Sequence, residues 1–205
     1  SLFAQALDAR GCEATVFHAN GYGGAALSRF LSEGRARALI DLNVHELGRM
    51  RLAGVHAAMP DRFVAGRDMP RGVLPGALNF LGLGAIDTVD PAHLTRPHYR
   101  HSGHFTHVKL TPDEMAEQAD ALAAYLNQTR APCQVLIPMG GFSTEDRPGG
   151  AIEDAGLREI AAERLERSAR AYSIKCLPWH INAPEVAEAA VATLTTTMQQ
   201  EASHA

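Results

Sequence analysis

Apolar residues follow two patterns along the chain, one with helical spacing and one in short continuous runs. Spacing of three and four residues is typical of amphipathic helices, and short β-branched runs are typical of buried strands. The first pattern predicts helices over residues 2–10, 27–34, 47–52, 61–67, 111–126, 157–165 and 184–198. The second predicts strands over residues 14–18, 38–41, 72–74, 106–110, 135–137 and 174–177. Residues 75–105, rich in Pro, Gly and His, are predicted to be irregular.

Strands that alternate with helices predict an α/β fold. We expect an open, mainly parallel sheet with helices on both faces, a three-layer sandwich of the Rossmann or flavodoxin type. The length of 205 residues suits one domain. The helix over residues 2–10 has no strand before it, so the sheet is expected to lack its first strand. We expect the native protein to extend upstream and the missing turn to complete the ligand site beside Gly21–Gly24.

Charge and composition exclude several classes of function. The chain has 19 Lys and Arg against 23 Asp and Glu, a net charge of −4, and no basic cluster, so no nucleic-acid partner is expected. No apolar run approaches the roughly 20 residues of a membrane-spanning helix, so no membrane partner is expected either. Cys12, Cys133 and Cys176 form no CxxC pair, which favours a reducing compartment and a cytoplasmic location.

The turns that follow the predicted strands carry polar residues and glycines. Ligands of open parallel sheets bind at the carboxyl ends of the strands. Free N–H groups in glycine turns that open a helix could hold a phosphate or a carboxylate, although the same glycines could simply make tight turns. Neither the dinucleotide fingerprint nor a Walker P-loop is present. The candidate ligand-binding residues are Asn20, Gly21, Gly23, Gly24, Glu46, Arg62, Gly76, Arg100, Gly140, Gly141, Ser143 and Asn182.

Histidines are frequent, ten in all, and some stand near strand ends. His18, His101, His180 and Asp146 are the candidate acid–base groups, and each could equally be structural. His98, His101, His104 and His107 recur every third residue, a spacing compatible with zinc, but no paired Cys or H-x-x-x-H helix accompanies them. No G-x-S-x-G turn is present to support a serine nucleophile.

Seven motifs occur in order along the chain: FHANGYGG (17–24), DLNVHE (41–46), MPDR (59–62), LPGAL (74–78), YRH (99–101), PMGGFS (138–143) with PGG (148–150), and HINAP (180–184). This order resembles the C-terminal half of the Tm-one-like ATP-binding family, which is uncharacterised and includes the tomato mosaic virus resistance protein. The resemblance implies a two-lobed protein of about twice this length, self-association into a homo-oligomer, and association with ATP, which the other lobe could bind.

Two functions from different classes follow. In the first, this domain is the C-terminal lobe of a small-molecule binding protein or enzyme. It holds an anionic ligand, a carboxylate, a phosphate or a nucleotide, at the strand ends with glycine turns and histidines, beside the N-terminal lobe. In the second, it is a regulatory or scaffolding lobe that dimerises and binds protein partners, and its glycine turns are structural.

Overall fold

A computed structural model describes residues 2–54, 59 and 61–202. The described residues form, in chain order, α1 (Leu2–Asp8), α2 (Tyr22–Ser32), β1 (Leu39–Asp41), α3 (His45–Arg51), β2 (Arg71–Val73), β3 (Phe80–Leu83), α4 (Pro91–Leu94), β4 (His98–Arg100), β5 (Thr106–Lys109), α5 (Pro112–Leu126), β6 (Cys133–Pro138), α6 (Ala155–Ser168), β7 (Ser173–Leu177) and α7 (Pro184–Ala202). A single 3₁₀ turn, Ile86–Thr88, lies between β3 and α4.

The main sheet has four parallel strands in the order β1-β2-β6-β7. Its two inner strands are buried along almost their whole length, as expected for a parallel sheet that is covered on both faces. The predicted α/β class with a parallel sheet and flanking helices is therefore confirmed.

Helices pack on both faces of this sheet. One face packs against α1 and α7, and its core contains Phe3, Leu136 and Val186. The other face packs against α3, α5 and α6, and its core contains Val135, Leu122 and Leu165. Val135 and Leu136 are adjacent on β6 and enter opposite cores because successive strand residues point to opposite faces.

The start of α5 follows directly from its sequence. The Thr111 side chain accepts a hydrogen bond from the Glu114 backbone N–H, and the Glu114 carboxylate accepts one from the Thr111 N–H. Pro112 occupies the first helical turn, where no intrahelical donor is required. Local chemistry alone therefore sets this boundary, and the predicted helix over residues 111–126 matches the observed one.

Three predicted elements differ from the structure. The irregular segment 75–105 contains β3 and β4, which pair with β5 in a separate antiparallel sheet of order β3-β5-β4. Residues 14–18 form no strand because no neighbouring strand lies beside them. Residues 61–67 form consecutive turns and no helix, since most of their backbone hydrogen bonds span three residues.

Within the described part of the chain, no helix is long and apolar enough to cross a membrane.

Candidate functional site

The turns after the strands of the main sheet lie side by side along its carboxyl edge. The Val44 N–H donates to the Gly76 carbonyl at 2.9 Å, which joins the turn after β1 to the turn after β2. The Ala77 N–H donates to the Phe142 carbonyl at 2.8 Å, which joins the turn after β2 to the turn after β6. Ala77 is the only described non-glycine residue with a positive φ, 56°, a strained conformation of the kind that clusters at functional sites.

The glycine turn at the start of α2 is occupied by a side chain of the protein itself. The Glu46 Oε1 atom accepts hydrogen bonds from the Gly21 N–H at 2.6 Å and the Gly24 N–H at 3.1 Å. A methyl group at Gly24 would overlap the Glu46 carboxylate, so glycine is required there for this close approach. The N–H groups that the sequence offers to an anionic ligand thus hold the carboxylate of Glu46.

Glu46 belongs to a buried cluster of charges. Arg62 donates to Glu46 at 2.6 Å and to both Asp41 oxygens at 2.7 and 2.8 Å. Arg71 is also buried and its charge acts on Asp41, but it makes no ion pair with a described residue, and its Nε and Nη1 have no hydrogen-bond partner. Burial raises the pKa of Asp41, but the charge and hydrogen bonds of Arg62 outweigh burial and hold it below its usual range. Because Arg62 contacts both carboxylates directly, Glu46 and Arg62 are internal structural partners.

The second glycine turn, after β6, packs against the turn after β7. A methyl group at Gly140 would overlap the backbone of Trp179 and His180, and one at Gly141 would overlap the His180 ring. His180 Nε2 lies 2.9 Å from the Ser143 carbonyl, and His180 Nδ1 accepts from the Asn182 N–H at 3.1 Å. Because Nδ1 accepts, the proton of the neutral ring is on Nε2, and both ring nitrogens are used within the protein.

Asp146 fastens the loop between β6 and α6. Its carboxylate accepts from the Phe142 N–H at 2.9 Å and from the Asp154 N–H at 3.1 Å, and it forms a buried ion pair with Arg158. All of these contacts lie inside the loop and the first turns of α6. In this structure Asp146 therefore stabilises the loop between β6 and α6.

Four aromatic rings form a stack where the small sheet meets the carboxyl edge. We call this the histidine column: His45, Phe80, His107 and His101. Phe80 and His107 stack with centroids 4.0 Å apart, and His107 and His101 stack at 4.4 Å. His45 lies 4.8 Å from Phe80 and 5.9 Å from His107. His101 is exposed, so the column runs from the surface to the interior.

Burial and neighbouring charge keep the inner histidines neutral. Burial, the Arg49 charge and the neighbouring His101 lower the pKa of His45 to about 4. Burial, with His101, His45 and Arg49, lowers the pKa of His107 to about 3. Burial and the charge of Glu145 raise the pKa of Tyr99 to about 12. The Tyr99 hydroxyl lies 2.7 Å from His107 Nδ1, so a hydrogen bond joins the two side chains.

Arg49 stands beside the column, where burial lowers its pKa and the charge of Glu46 partly offsets that shift. It is 7% exposed, its Nε has no hydrogen-bond partner, and it makes no ion pair with a described residue. Its guanidinium lies 5.9 Å from the exposed ring of Phe105. The guanidinium of Arg49 therefore lies close to the two neutral imidazoles of His45 and His107 and to the exposed end of the column.

The remaining predicted site residues are distributed along the same edge and beyond it. Asn20 caps the Gly23 N–H at 3.0 Å, and Gly23 packs against the His18 carbonyl. Gly76 packs against the Leu42 carbonyl. His18, Arg100 and Asn182 are exposed. Of the predicted acid–base groups, only His101 is part of the histidine column.

Sequence reasoning did not select His45, Arg49, Tyr99 or His107 as site residues. His45 follows the predicted strand over residues 38–41, and His107 belongs to the run of four histidines, so the sequence offered a reason to select both. The sequence offered no reason to select Arg49. No three His, Cys, Asp or Glu residues of the described part are grouped closely enough to hold a metal ion.

Comparison with known proteins gives the family. Residues 2–198 match the model of the Uncharacterised protein family (UPF0261) C-terminal domain. The chain belongs to this family. It is 37% identical over 183 residues to a UPF0261 protein of Rhizobium meliloti, covering 86% of this chain and 46% of that protein. A UPF0261 protein of Clostridium tetani is 31% identical over 167 residues, 78% of this chain and 41% of that protein.

The tomato relative is more distant. The ToMV resistance protein Tm-1(GCR237) of Solanum lycopersicum is 28% identical over 186 residues, 88% of this chain and 25% of that protein. The chain spans about half the length of the UPF0261 relatives it matches. The expected resemblance to a C-terminal half is thereby confirmed at the level of the family.

Proposed function

We propose that this UPF0261 domain is a lobe of a protein that binds a small molecule with a carboxylate or phosphate group at the carboxyl edge of its sheet. The observation that carries the proposal is the histidine column beside the unpaired guanidinium of Arg49. The same residues suit an enzyme that moves a proton on the bound ligand.

Arg49 supports an anionic ligand. Buried charges in proteins are nearly always paired, because burying an unpaired charge is costly. Burial lowers the pKa of Arg49, but arginine remains protonated at any physiological pH. Glu46 acts on Arg49 through its charge, but its oxygens are engaged by Gly21, Gly24 and Arg62. An anionic group on the ligand would supply the direct ion pair that the described residues do not. The proposed anion site is therefore Arg49, in place of the Gly21–Gly24 amides that Glu46 occupies.

The histidines support acid–base chemistry. A neutral imidazole offers one donor and one acceptor, so it can give or take a proton. His107 is oriented by its hydrogen bond with Tyr99. His101 is exposed at the outer end of the column and would meet the ligand first. A proton could then pass between the ligand and His101.

The test is calorimetric titration of the full-length protein with inorganic phosphate, citrate and ATP. ATP is included because the family resemblance implies it, and its phosphates are anions of the proposed class. Arg49→Met removes the charge and is expected to weaken binding at least tenfold. Arg51→Met is the matched control, because Arg51 is exposed on the same helix and pairs only with Glu117 at 3.4 Å.

A second pair of variants tests the column. His101→Gln is expected to weaken binding, whereas His104→Gln, an exposed histidine of the same loop, is expected to leave it unchanged. Equal affinity in Arg49→Met and the unmodified protein contradicts the anion site. If none of the three probes binds, the ligand class is wrong.

The second candidate function is a regulatory or scaffolding lobe that contacts protein. Two large aromatic side chains favour it: Tyr22, the first residue of α2, is 81% exposed, and Trp179, in the turn after β7, is 41% exposed. Exposed aromatic residues are enriched in protein interfaces. Sedimentation of Trp179→Ser against the unmodified protein distinguishes the two functions, since only the second predicts a change of assembly.

A further inference from the structure

The hairpin formed by β4 and β5 presents one face made of aromatic rings. The register places Tyr99 opposite His107. Two residues nearer the tip, the His101 N–H donates to the Phe105 carbonyl at 2.9 Å, so these two residues also lie opposite each other. Side chains two residues apart on a strand share a face. The side chains on this face of the hairpin, which is also the face of the histidine column, are therefore Tyr99, His101, Phe105 and His107.

The rings become more exposed toward the tip of the hairpin. Tyr99 and His107 are half-buried, whereas His101 and Phe105 are exposed. His107 stacks on Phe80 with 17° between the ring planes and on His101 with 11° between them. Among the described residues, the His101 ring makes ring contacts only with His107 and, edge-on, with Tyr99. The stack therefore ends on an imidazole whose outer face meets no ring of the described residues.

The guanidinium of Arg49 lies beside this exposed end of the stack. Its Cζ atom is 5.9 Å from the centre of the Phe105 ring, and its charge acts on His107. Arg49 is buried, its Nε has no hydrogen-bond partner, and it makes no ion pair with a described residue. A ligand that covers the exposed rings therefore meets a cation that lacks a direct partner.

The two features together select a class of ligand. Aromatic rings that pack offset or edge to face gain binding energy beyond the apolar area that they bury, which a saturated ring of the same size does not. A carboxylate can accept two parallel hydrogen bonds from a guanidinium. A planar ring that carries a carboxylate matches both the open face of His101 and the guanidinium of Arg49.

We propose that the ligand of this site is a planar aromatic acid, whose ring stacks on the outer face of His101 beside Phe105 and whose carboxylate pairs with Arg49. The inference rests on the proposed function for the position of the anion, and it adds the ring to the ligand. His101 then determines specificity through its ring face, in addition to any proton that it exchanges with the ligand.

Two probes that differ in the ring alone test the proposal on the full-length protein. Benzoate and cyclohexanecarboxylate are both carboxylate anions of a six-membered ring at neutral pH, and only benzoate is aromatic. Benzoate is expected to bind at least about threefold more tightly, which is the contribution of one modest aromatic contact. Titration followed by the NMR signals of the probes measures both dissociation constants.

Variants of the site assign the preference to its residues. His101→Phe keeps a ring face and removes the ring nitrogens, so it is expected to keep the preference for benzoate. His101→Gln removes the ring and is expected to make the two dissociation constants equal. His104→Gln, at an exposed histidine of the same hairpin, is the control and is expected to keep the preference. Arg49→Met is expected to weaken both probes by the same factor, because both carry the carboxylate.

Equal affinities of the two probes in the unmodified protein, both reduced in Arg49→Met, overturn the aromatic ligand and leave the anion site in place. A preference for benzoate that persists in His101→Gln also overturns it, because the ring then binds elsewhere. Loss of the preference in His101→Phe overturns stacking on this residue. If neither probe binds, the aromatic acid is wrong, and the titrations with phosphate and citrate decide the proposed function separately.

Discussion

At the scale of single residues, Glu46 occupies the glycine turn over residues 21–24, which the sequence predicts to bind an anionic ligand. It is fully buried, it accepts from two glycine N–H groups, and it pairs with Arg62. Sequence placed Glu46 and the Gly21–Gly24 turn in one candidate site, and the structure brings them into direct contact. Glu46 is the group that accepts, and the turn donates its N–H groups to it. Residue types alone do not distinguish this relation from that of two groups that bind a ligand together.

Glu46→Gln keeps the shape of the side chain and removes its charge. We expect a loss of about 3 kcal/mol in the free energy of unfolding, because breaking a buried ion pair leaves its partner uncompensated. Glu33→Gln is the control, since Glu33 is exposed and pairs with Arg29 on the surface; it is expected to leave stability unchanged. Urea denaturation measures both. Equal midpoints for the two variants would show that the Glu46 charge is not structural.

The inner histidines predict how stability depends on pH. An unfolded histidine has a pKa near 6.5, whereas the pKa of folded His45 is about 4 and that of folded His107 is about 3. Below pH 6.5 the unfolded state therefore binds protons that the folded state does not, and stability falls as the pH drops from 6.5 to 4. Asp41, whose pKa is lowered, adds a loss in the same direction at still lower pH.

The variant His45→Gln should reduce the slope of unfolding free energy against pH between 6.5 and 4. His104→Gln removes an exposed histidine and should leave that slope as it is. Urea denaturation at half-unit intervals of pH measures the slope. An unchanged slope in His45→Gln would mean that His45 titrates normally in the folded protein.

At the scale of elements, α5 shows local sequence deciding structure. Thr111, Pro112 and Glu114 are enough to set its start, because the capping contacts span only three residues. Thr111→Ala should cost about 1 kcal/mol of unfolding free energy. Thr196→Ala, on an exposed face of α7, is the control and should be neutral or slightly stabilising, since Ala has the higher helix propensity. A neutral Thr111→Ala would show that packing alone holds the start of α5.

The small antiparallel sheet shows the opposite case. Its strands β3 and β4, which lie within segment 75–105, have only four and three residues, too few for a clear period-two pattern. Segment 75–105 therefore reads as irregular. Pairing of β5 with β4 places His107 opposite Tyr99, and pairing with β3 places it opposite Gly82. The histidine column is a consequence of this register.

At the scale of the whole molecule, the main sheet separates two apolar cores. Leu122 lies in the core of the α5 face and Ile181 in the core of the α7 face. Leu122→Ala should cost about 2–5 kcal/mol and Ile181→Val about 0.5–1.5 kcal/mol. The double variant should lose the sum within about 0.5 kcal/mol, because the two sites share no partner. A coupling above about 1 kcal/mol in denaturant unfolding would contradict two independent cores.

The sequence by itself determined the alternation of strands and helices, the parallel sheet covered on both faces, and the capped start of α5. These features depend on periodicity and on contacts between near neighbours, which the order of residues states directly. Only the tertiary structure decided that Glu46 fills the glycine turn 25 residues before it, that His180 closes the turn after β6, and that Arg49 stands unpaired beside His45 and His107. Apart from His45 and Arg49, which are neighbours on α3, these residues come from segments that are distant along the chain, so their contacts exist only once strand register and helix packing have set the distances between them.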